Sequence, residues 1–339
     1  MTSQNKVRLG IIGAGGISTG VHLPSLQMLD DADVVAVCDL IESRAQDAAK
    51  TFAIPSTYTD YIEMLEQEQL DAVFVLTEPD QLFRPAKVCL EAGVHVFMEK
   101  PPGITTYQAH TLLRTARAAD RILQVGFNRR FIPIVEHVVK LMRERTVITQ
   151  VEGRFIKHGD AAFYGGCASA FVCDTIHASD MVRWVADGIP VAAALVEGQT
   201  DDVVVNRWNA VTRFDNGVTG IVKGNYKTGG RVHTLEIHGP GGSAFVDLGF
   251  GGATCSAELL FFSGHGTQSL ASAGAGSQER ITLDGREIAG SDDFCVFEGF
   301  VAEDRHFLEC VQTGQRPRTD IEEAVRTMEF VDFMLANTI

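Results

Sequence analysis

A chain of 339 residues is long for one hydrophobic core, which points to two domains. It is 45% apolar and 22% charged, as in an ordinary globular protein, and no run of about 18 uncharged apolar residues is present to span a membrane. A net charge of −15 argues against nucleic acid as a partner, because phosphate contacts need a basic surface; it fits a small-molecule enzyme without proving one. The 7 cysteines are dispersed with no C-x-x-C pair, so they read as reduced thiols of a cytoplasmic protein, with no metal site. No basic segment followed by an apolar stretch precedes the first strand, so no secretory signal is expected.

Val7, Leu9, Ile11 and Ile12 make a short apolar run that reads as a buried strand. It breaks into Gly13-Ala14-Gly15-Gly16, and a helical pattern follows. A strand, a glycine turn and a helix in that order form a phosphate-binding corner. Gly13 takes the tight turn, and Gly15 keeps no side chain between the backbone and a pyrophosphate. The helix start beyond, at Gly16 and Ile17, offers free N–H groups. Ser18 stands where a third glycine or an alanine is usual, and a plain glycine-rich turn is the alternative reading. Val34–Asp39 is the second strand and ends on an acid, about 20 residues past the turn, where a ribose 2′-hydroxyl would be held. Asp39 would repel a 2′-phosphate, which favours NAD over NADP, although Arg44 could offset that repulsion. Asp39 could equally cap the helix Glu42–Phe52.

The pattern continues with a helix around Tyr61–Glu66, a strand over Asp71–Thr77, a helix over Leu82–Ala92, and a strand over Val94–Met98 that ends in Glu99-Lys100-Pro101-Pro102. A helix over Thr105–Ala119 and a strand over Ile122–Val125 complete it. Strands alternating with helices at this spacing mean a parallel sheet covered on both faces. Ligands bind beyond the carboxyl ends of such strands, where Thr77, Glu99, Lys100 and the segment Gly126–Arg130 all lie. After a helix at Ile132–Arg143 the rhythm changes. Val147–Phe155, Val191–Glu197, Ala210–Phe214, Gly217–Asn225, Val232–His238 and Ser243–Val246 look like strands, with a hairpin signal at Asp215-Asn216-Gly217. Ser263–Gln278 reads as a flexible loop, and helices at Gly299–Thr313 and Asp320–Asn337 close the chain. The expectation is an α/β Rossmann domain over residues 1–127. An α+β domain on a large open, mostly antiparallel sheet should then occupy 128–339.

Three groups carry candidate chemistry. Lys100, at a strand end and followed by two prolines, could polarise a carbonyl or stabilise an alkoxide; a surface pair with Glu99 is the bland alternative. Asp174 and His177 would share a helix face with Met181 and Trp184, with Asp180 at its edge. An acid and an imidazole one turn apart form an orienter and a general base, against the reading of a capping acid and a core histidine. Asn128 and Arg129, with Arg130, Arg154, Lys157, His158, Tyr226 and Lys227, could hold polyol hydroxyls or a carboxylate, or could be solvated charge. His22 reads as a helix-packing residue.

Taken together, Gly13–Ser18, Asp39, Glu99-Lys100-Pro101, Gly126–Phe131, His177–Trp184 and His306–Gly314 resemble the glucose–fructose oxidoreductase/inositol dehydrogenase (Gfo/Idh/MocA) family. The resemblance implies NAD(P)-linked oxidation or reduction of sugars, inositols or related polyols. It also implies an open sheet that forms a homodimer or homotetramer interface. Residue by residue, Lys100 matches the family's catalytic lysine, His177 its catalytic histidine, and Asp180 an acid that often binds substrate. The family's commonest form has aspartate at the position of Cys173; here Asp174 follows it. Glu78 and Phe83 also depart from the family's proline and histidine after Thr77, and Pro102 follows Pro101. In the expected reaction His177 takes a hydroxyl proton, Lys100 holds the same oxygen and Asp174 supports the pair. The competing readings are a glycosidase that cycles bound NAD, a non-catalytic cofactor or sugar sensor, and a dehydrogenase of an imine or dihydrodiol.

Overall fold

Six strands, Val7–Ile12 (β1), Ala32–Cys38 (β2), Ser56–Tyr58 (β3), Ala72–Val75 (β4), His95–Glu99 (β5) and Leu123–Gly126 (β6), lie parallel in the order β3-β2-β1-β4-β5-β6. They belong to the first of two units in the computed structural model, which describes residues 6–163, 166, 168–250, 254–263 and 277–339. β4 and β6 are buried along their whole length, as strands covered on both faces are; β4 is an unbroken apolar run, and in β6 the buried Gln124 side chain donates to the Glu303 carbonyl oxygen. The helical stretch Ser18–Gln27 joins β1 to β2, and helices Glu42–Phe52, Tyr61–Gln67, Phe83–Glu91 and Thr106–Ala119 supply the later crossovers. Asp60 and Thr105 start two of them by accepting backbone N–H bonds from Ile62 and Gln108. Strand order reverses between β1 and β4, and the carboxyl ends of those strands are where such a sheet opens a crevice.

The expected single boundary at residues 127 and 128 does not describe this unit, which also contains Asp293–Glu329. The helix Phe300–Thr313 explains why. Phe300, Val301, Phe307 and Leu308 recur at helical spacing and join the cluster of Leu9, Ile11, Phe74 and Phe97. The Phe307 ring meets those of Phe74 and Phe97 at centroid distances of 5.4 and 5.8 Å. Burying a side chain of this size contributes about 1.5–3 kcal/mol, so the sheet recruits an apolar stripe from far along the chain.

The second unit comprises Ile132–Asp292 and Phe330–Ile339. Its strands are Gln150–His158 (β7), Ala162–Phe163 (β8), Ala168–Ser169 (β9), Pro190–Gly198 (β10), Arg207–Phe214 (β11), Thr219–Asn225 (β12), Lys227–Gly239 (β13), Gly242–Leu248 (β14), Cys255–Ser263 (β15) and Ser277–Asp284 (β16). β8 and β9 pair with each other, and the other eight form one sheet in the order β10-β11-β12-β7-β13-β14-β15-β16. Only the β12–β7 pair is parallel. Helix Ile176–Ala186 packs on one face, where a Cβ on Gly153 would stand 3.0 Å from the Ala178 carbonyl oxygen; glycine there lets the helix sit down on β7. The other face carries the row Val211, Ile221, Glu152, Glu236, Phe245 and Glu258.

β15 and β16 extend the sheet beyond the expected strands. β16 is an edge strand with little burial, so its sequence lacks the apolar alternation that marks a half-buried strand. The expected loop Ser263–Gln278 is strand at both ends, and its residues 264–276 lie outside the described residues, as does Cys167. Among the described residues no helix is long and apolar enough to cross a membrane.

Candidate active site

In the first unit the glycine corner has the geometry a dinucleotide needs. Gly13 has φ +98°, and a Cβ there would stand 2.8 Å from the Leu76 carbonyl oxygen, so glycine is required on both counts. A Cβ on Gly15 or Gly16 would meet nothing within 4 Å, so the backbone faces open space. Helical winding begins beside Ile17, passes through a π-helical stretch at Ser18–His22 and continues as Leu23–Gln27. The first N–H groups of such a helix have no partner within it. Ser18 Oγ and Thr77 Oγ1 are buried without a hydrogen-bond partner, and both belong to the segments that end the crevice-forming turns. These residues fit a bound dinucleotide.

Asp39 closes the corner in a way the sequence did not disclose. Its Oδ2 accepts the Ala14 N–H at 2.8 Å and its Oδ1 the Ile41 N–H at 2.9 Å. The carboxylate thus ties the end of β2 to the glycine turn. Helix Glu42–Phe52 begins at Ile41, so Asp39 braces the approach to that helix and is not its cap. Arg44 is exposed in the first turn.

Lys100 follows β5, and its bond to Pro101 is cis. Its backbone N–H donates to Glu99 Oε2 at 3.1 Å. Glu99 Oε1 lies 3.3 Å from His22 Nε2, and His22 Nδ1 lies 3.0 Å from Asp304 Oδ1. Burial alone would push the Glu99 carboxyl up, but hydrogen bonding to His22 and the charge of Lys100 hold it below its ordinary value. Next to this group Glu303 is fully buried. Burial, reinforced by Asp304 and Glu99, pushes its carboxyl well above the usual range. His22 is buried, as a packing residue would be, but it is also the centre of an ionic group. No spacing in the sequence signals this, because its partners stand 77 and 282 positions away.

In the second unit Asp174 and His177 do not share one continuous helix, contrary to expectation. Ala170–Cys173 forms a short turn, Asp174 has φ −135°, and the helix bearing His177 starts at Ile176. The two residues are joined through the backbone, the His177 N–H donating to the Asp174 carbonyl oxygen at 3.3 Å. The break turns the Asp174 carboxylate toward the sheet, where it ion-pairs with Lys157 and accepts the Tyr226 hydroxyl at 2.8 Å. Burial and then the Asp174 charge push the Tyr226 hydroxyl well above its ordinary pKa, so it stays a donor. Lys157 Nζ also stands 4.9 Å from the centroid of the Tyr226 ring. His177 is 3% exposed and stacks on Phe155 at 6.1 Å. Val151, Phe155 and Lys157 share the face that helix Ile176–Ala186 covers, whereas Arg154 points to the other face and pairs with Glu152 and Glu236 at 2.6 and 2.8 Å.

The remaining candidates divide by burial. Asn128 and Arg129 are buried in the first unit, where Asn128 donates to the Glu298 carbonyl and Arg129 to the Asn128 side chain. Arg130 pairs with Glu323 at 3.2 Å. These bonds brace the segment after β6, a framework role that a reading of strand ends alone does not separate from ligand binding. His158 is exposed at the end of β7, and Asp180 is buried on the helix of His177. Lys227 pairs with Asp202 at 3.2 Å.

Residues 7–127 match a family model described as an oxidoreductase family with an NAD-binding Rossmann fold. A myo-inositol 2-dehydrogenase of Thermotoga maritima is 27% identical over 257 residues, covering 71% of this chain and 75% of its own. A D-xylose 1-dehydrogenase (NADP(+)) of Haloferax volcanii is 25% identical, covering 95% of this chain and 94% of its own. Among solved structures, a dehydrogenase from Chromobacterium violaceum superposes with a TM-score of 0.85 at 20% identity, covering 99% of this chain and 96% of its own, a likeness of fold. With the glycine corner and the Glu99-Lys100-Pro101 strand end in place, residues 7–127 belong to the Gfo/Idh/MocA family of NAD-binding oxidoreductases, and the chain resembles dehydrogenases of that family along most of its length.

Proposed function

We propose that this enzyme transfers hydride reversibly between NAD and a secondary alcohol of a sugar, inositol or related polyol. The observation that carries the reading is the first unit's pairing of a dinucleotide corner at Gly13–Gly16 with Lys100 at the carboxyl end of the same sheet. The nicotinamide supplies the hydride acceptor when bound. His177 takes the hydroxyl proton as the C–H bond breaks and the C=O bond forms. The Lys100 ammonium stabilises developing negative charge on oxygen. Asp174 keeps Lys157 and Tyr226 in fixed orientation beside His177, where they serve as donors to substrate hydroxyls; Asp180 and His158 are further candidates for that role. The relatives named for myo-inositol and D-xylose support the polyol class.

NAD is the preferred cofactor in this reading, because Asp39 at the end of β2 places a carboxylate where NADP would bring a phosphate. Tryptophan-quench titration should give tighter binding of NAD than of NADP, and a panel including myo-inositol, D-xylose and D-glucose should raise NADH absorbance with at least one member. Binding with no rise across a broad polyol panel would count against the dehydrogenase reading of the substrate.

The enzyme is further proposed to be a cytoplasmic homodimer or homotetramer joined through the open sheet. Val196, Val211, Val232, Phe245 and Phe262 are large apolar side chains left exposed on the strands of that sheet, which supports an apolar interface. The six cysteines among the described residues are buried thiols, in keeping with a reducing compartment. Val211→Glu places a charge on the apolar part of that face, on β11, and should convert the oligomer to monomer in size-exclusion chromatography with light scattering. An unchanged mass would exclude this face as the interface.

A further inference from the structure

His22 is a buried titratable group for which the reaction above has no use. It ends the π-helical stretch that follows the glycine corner, is 0% exposed, and both its ring nitrogens face carboxylates. A neutral imidazole has one N–H and one lone pair, so one carboxylate would face a lone pair; only the imidazolium donates to both. The rings of Phe97, Phe74 and Phe300 surround it at 5.1, 5.8 and 5.9 Å. Glu99 is seated from the far side by Gly126, where a Cβ would stand 3.4 Å from Oε1, and its other oxygen accepts the Lys100 N–H.

We propose that His22, clasped between Asp304 and Glu99, is a positioning residue for Lys100: it fixes the carboxylate that holds the backbone at the strand end from which Lys100 projects. The inference rests on the reading of Lys100 as a catalytic group. It gives a purpose to the buried ion group and to the recruitment of helix Phe300–Thr313, which brings Asp304 to the back of β5.

The clasp has a defined pH range. The titratable groups that act on the imidazole are Asp304 and Glu303 from that helix and Glu99 from the end of β5; beyond them, Lys100 acts on Glu99, and Cys295, whose thiol burial pushes up to about 11, bonds to the Val21 carbonyl oxygen. Burial alone would lower the His22 pKa, but Asp304 and then Glu99 outweigh it and hold it at about 10. Asp304→Asn keeps the shape and an acceptor for Nδ1–H while removing one charge, so the imidazolium of that variant loses its proton at lower pH.

The test compares wild type, Lys100→Met, His22→Gln and Asp304→Asn as whole enzymes, with NAD and the polyol of the panel that turns over fastest. His22→Gln should lower kcat by about 10²-fold, the cost of misplacing a reacting group, with the NAD dissociation constant unchanged. Asp304→Asn should show a fall in kcat with rising pH, centred within about two units of the ordinary histidine pKa, that wild type lacks. A ¹⁵N-histidine spectrum of wild type at about pH 8, well above that ordinary value, should show protons on both ring nitrogens of His22. A neutral ring in that spectrum overturns the proposal, and this measurement decides alone if a variant does not fold. Folded His22→Gln and Asp304→Asn with wild-type kcat and pH profile, beside an inactive Lys100→Met, overturn it while leaving the function intact. Turnover retained in Lys100→Met overturns the reading of Lys100 and this inference with it.

Discussion

Replacing His177 by alanine is expected to lower kcat by about 10²–10⁴-fold, the usual contribution of a positioned acid–base group. NAD binding should be unchanged, because the dinucleotide corner and His177 belong to different units. The size of the effect follows from how firmly the imidazole is held. It is 3% exposed, stacked on Phe155, and carried by a helix seated on glycine positions of the sheet. A group so fixed is already in place when the substrate arrives, and water admitted by the smaller side chain is a poor replacement. Stopped-flow or steady-state NADH absorbance gives kcat, fluorescence quenching gives the NAD dissociation constant, and a thermal melt checks folding. Wild-type turnover in a folded His177→Ala protein would remove His177 from the reaction.

Asp304→Ala is expected to cost about 3–5 kcal/mol of unfolding free energy, as breaking one side of a buried ionic group does. The variant leaves the His22 imidazolium with Glu99 alone in a site lined by aromatic rings. The wild-type protein should also show a characteristic pH dependence. The His22 pKa is raised from an ordinary 6.5 to about 10 on folding, so its stabilising contribution is complete below about 6.5 and is lost as the pH rises through about 10. The Glu99 carboxyl is lowered from its ordinary 4.5, so its contribution is complete above that value and is lost as the pH falls through the lowered one. Urea unfolding across pH should therefore show stability falling on both flanks, and Asp304→Ala should flatten the alkaline flank. A loss below about 1 kcal/mol in Asp304→Ala, the size of an ordinary substitution, would mean that the group contributes little to the fold.

The sequence by itself determined the parallel unit, because its signals are local. The run Val7–Ile12 is mostly apolar, a glycine turn follows it at Gly13–Gly16, and an acid ends the next strand. Each is readable within a few residues, and strands alternating with helices at that spacing admit few arrangements. The same holds for the antiparallel pairs β10–β11, β11–β12 and β13–β14, the second of them joined at the Asp215-Asn216-Gly217 turn, whereas the insertion of β7 between β12 and β13 has no local signal. Lys100 and His177 were legible as candidates because strand ends and helix faces are local positions. Tertiary structure alone decided what those residues touch. The backbone break at Asp174 directs its carboxylate to Lys157 and Tyr226, since a single non-helical φ value redirects a side chain that periodicity would keep on the helix. Arg154 and Lys157 lie three residues apart on one strand and so fall on opposite faces, a sorting that depends on which face the helices cover. The domain boundary and the His22 clasp both depend on helix Phe300–Thr313 folding back on the first sheet. A sequence pattern reports the amphipathic stripe of that helix, but not the sheet that buries it, because apolar burial is non-directional and its partner is chosen by the completed topology.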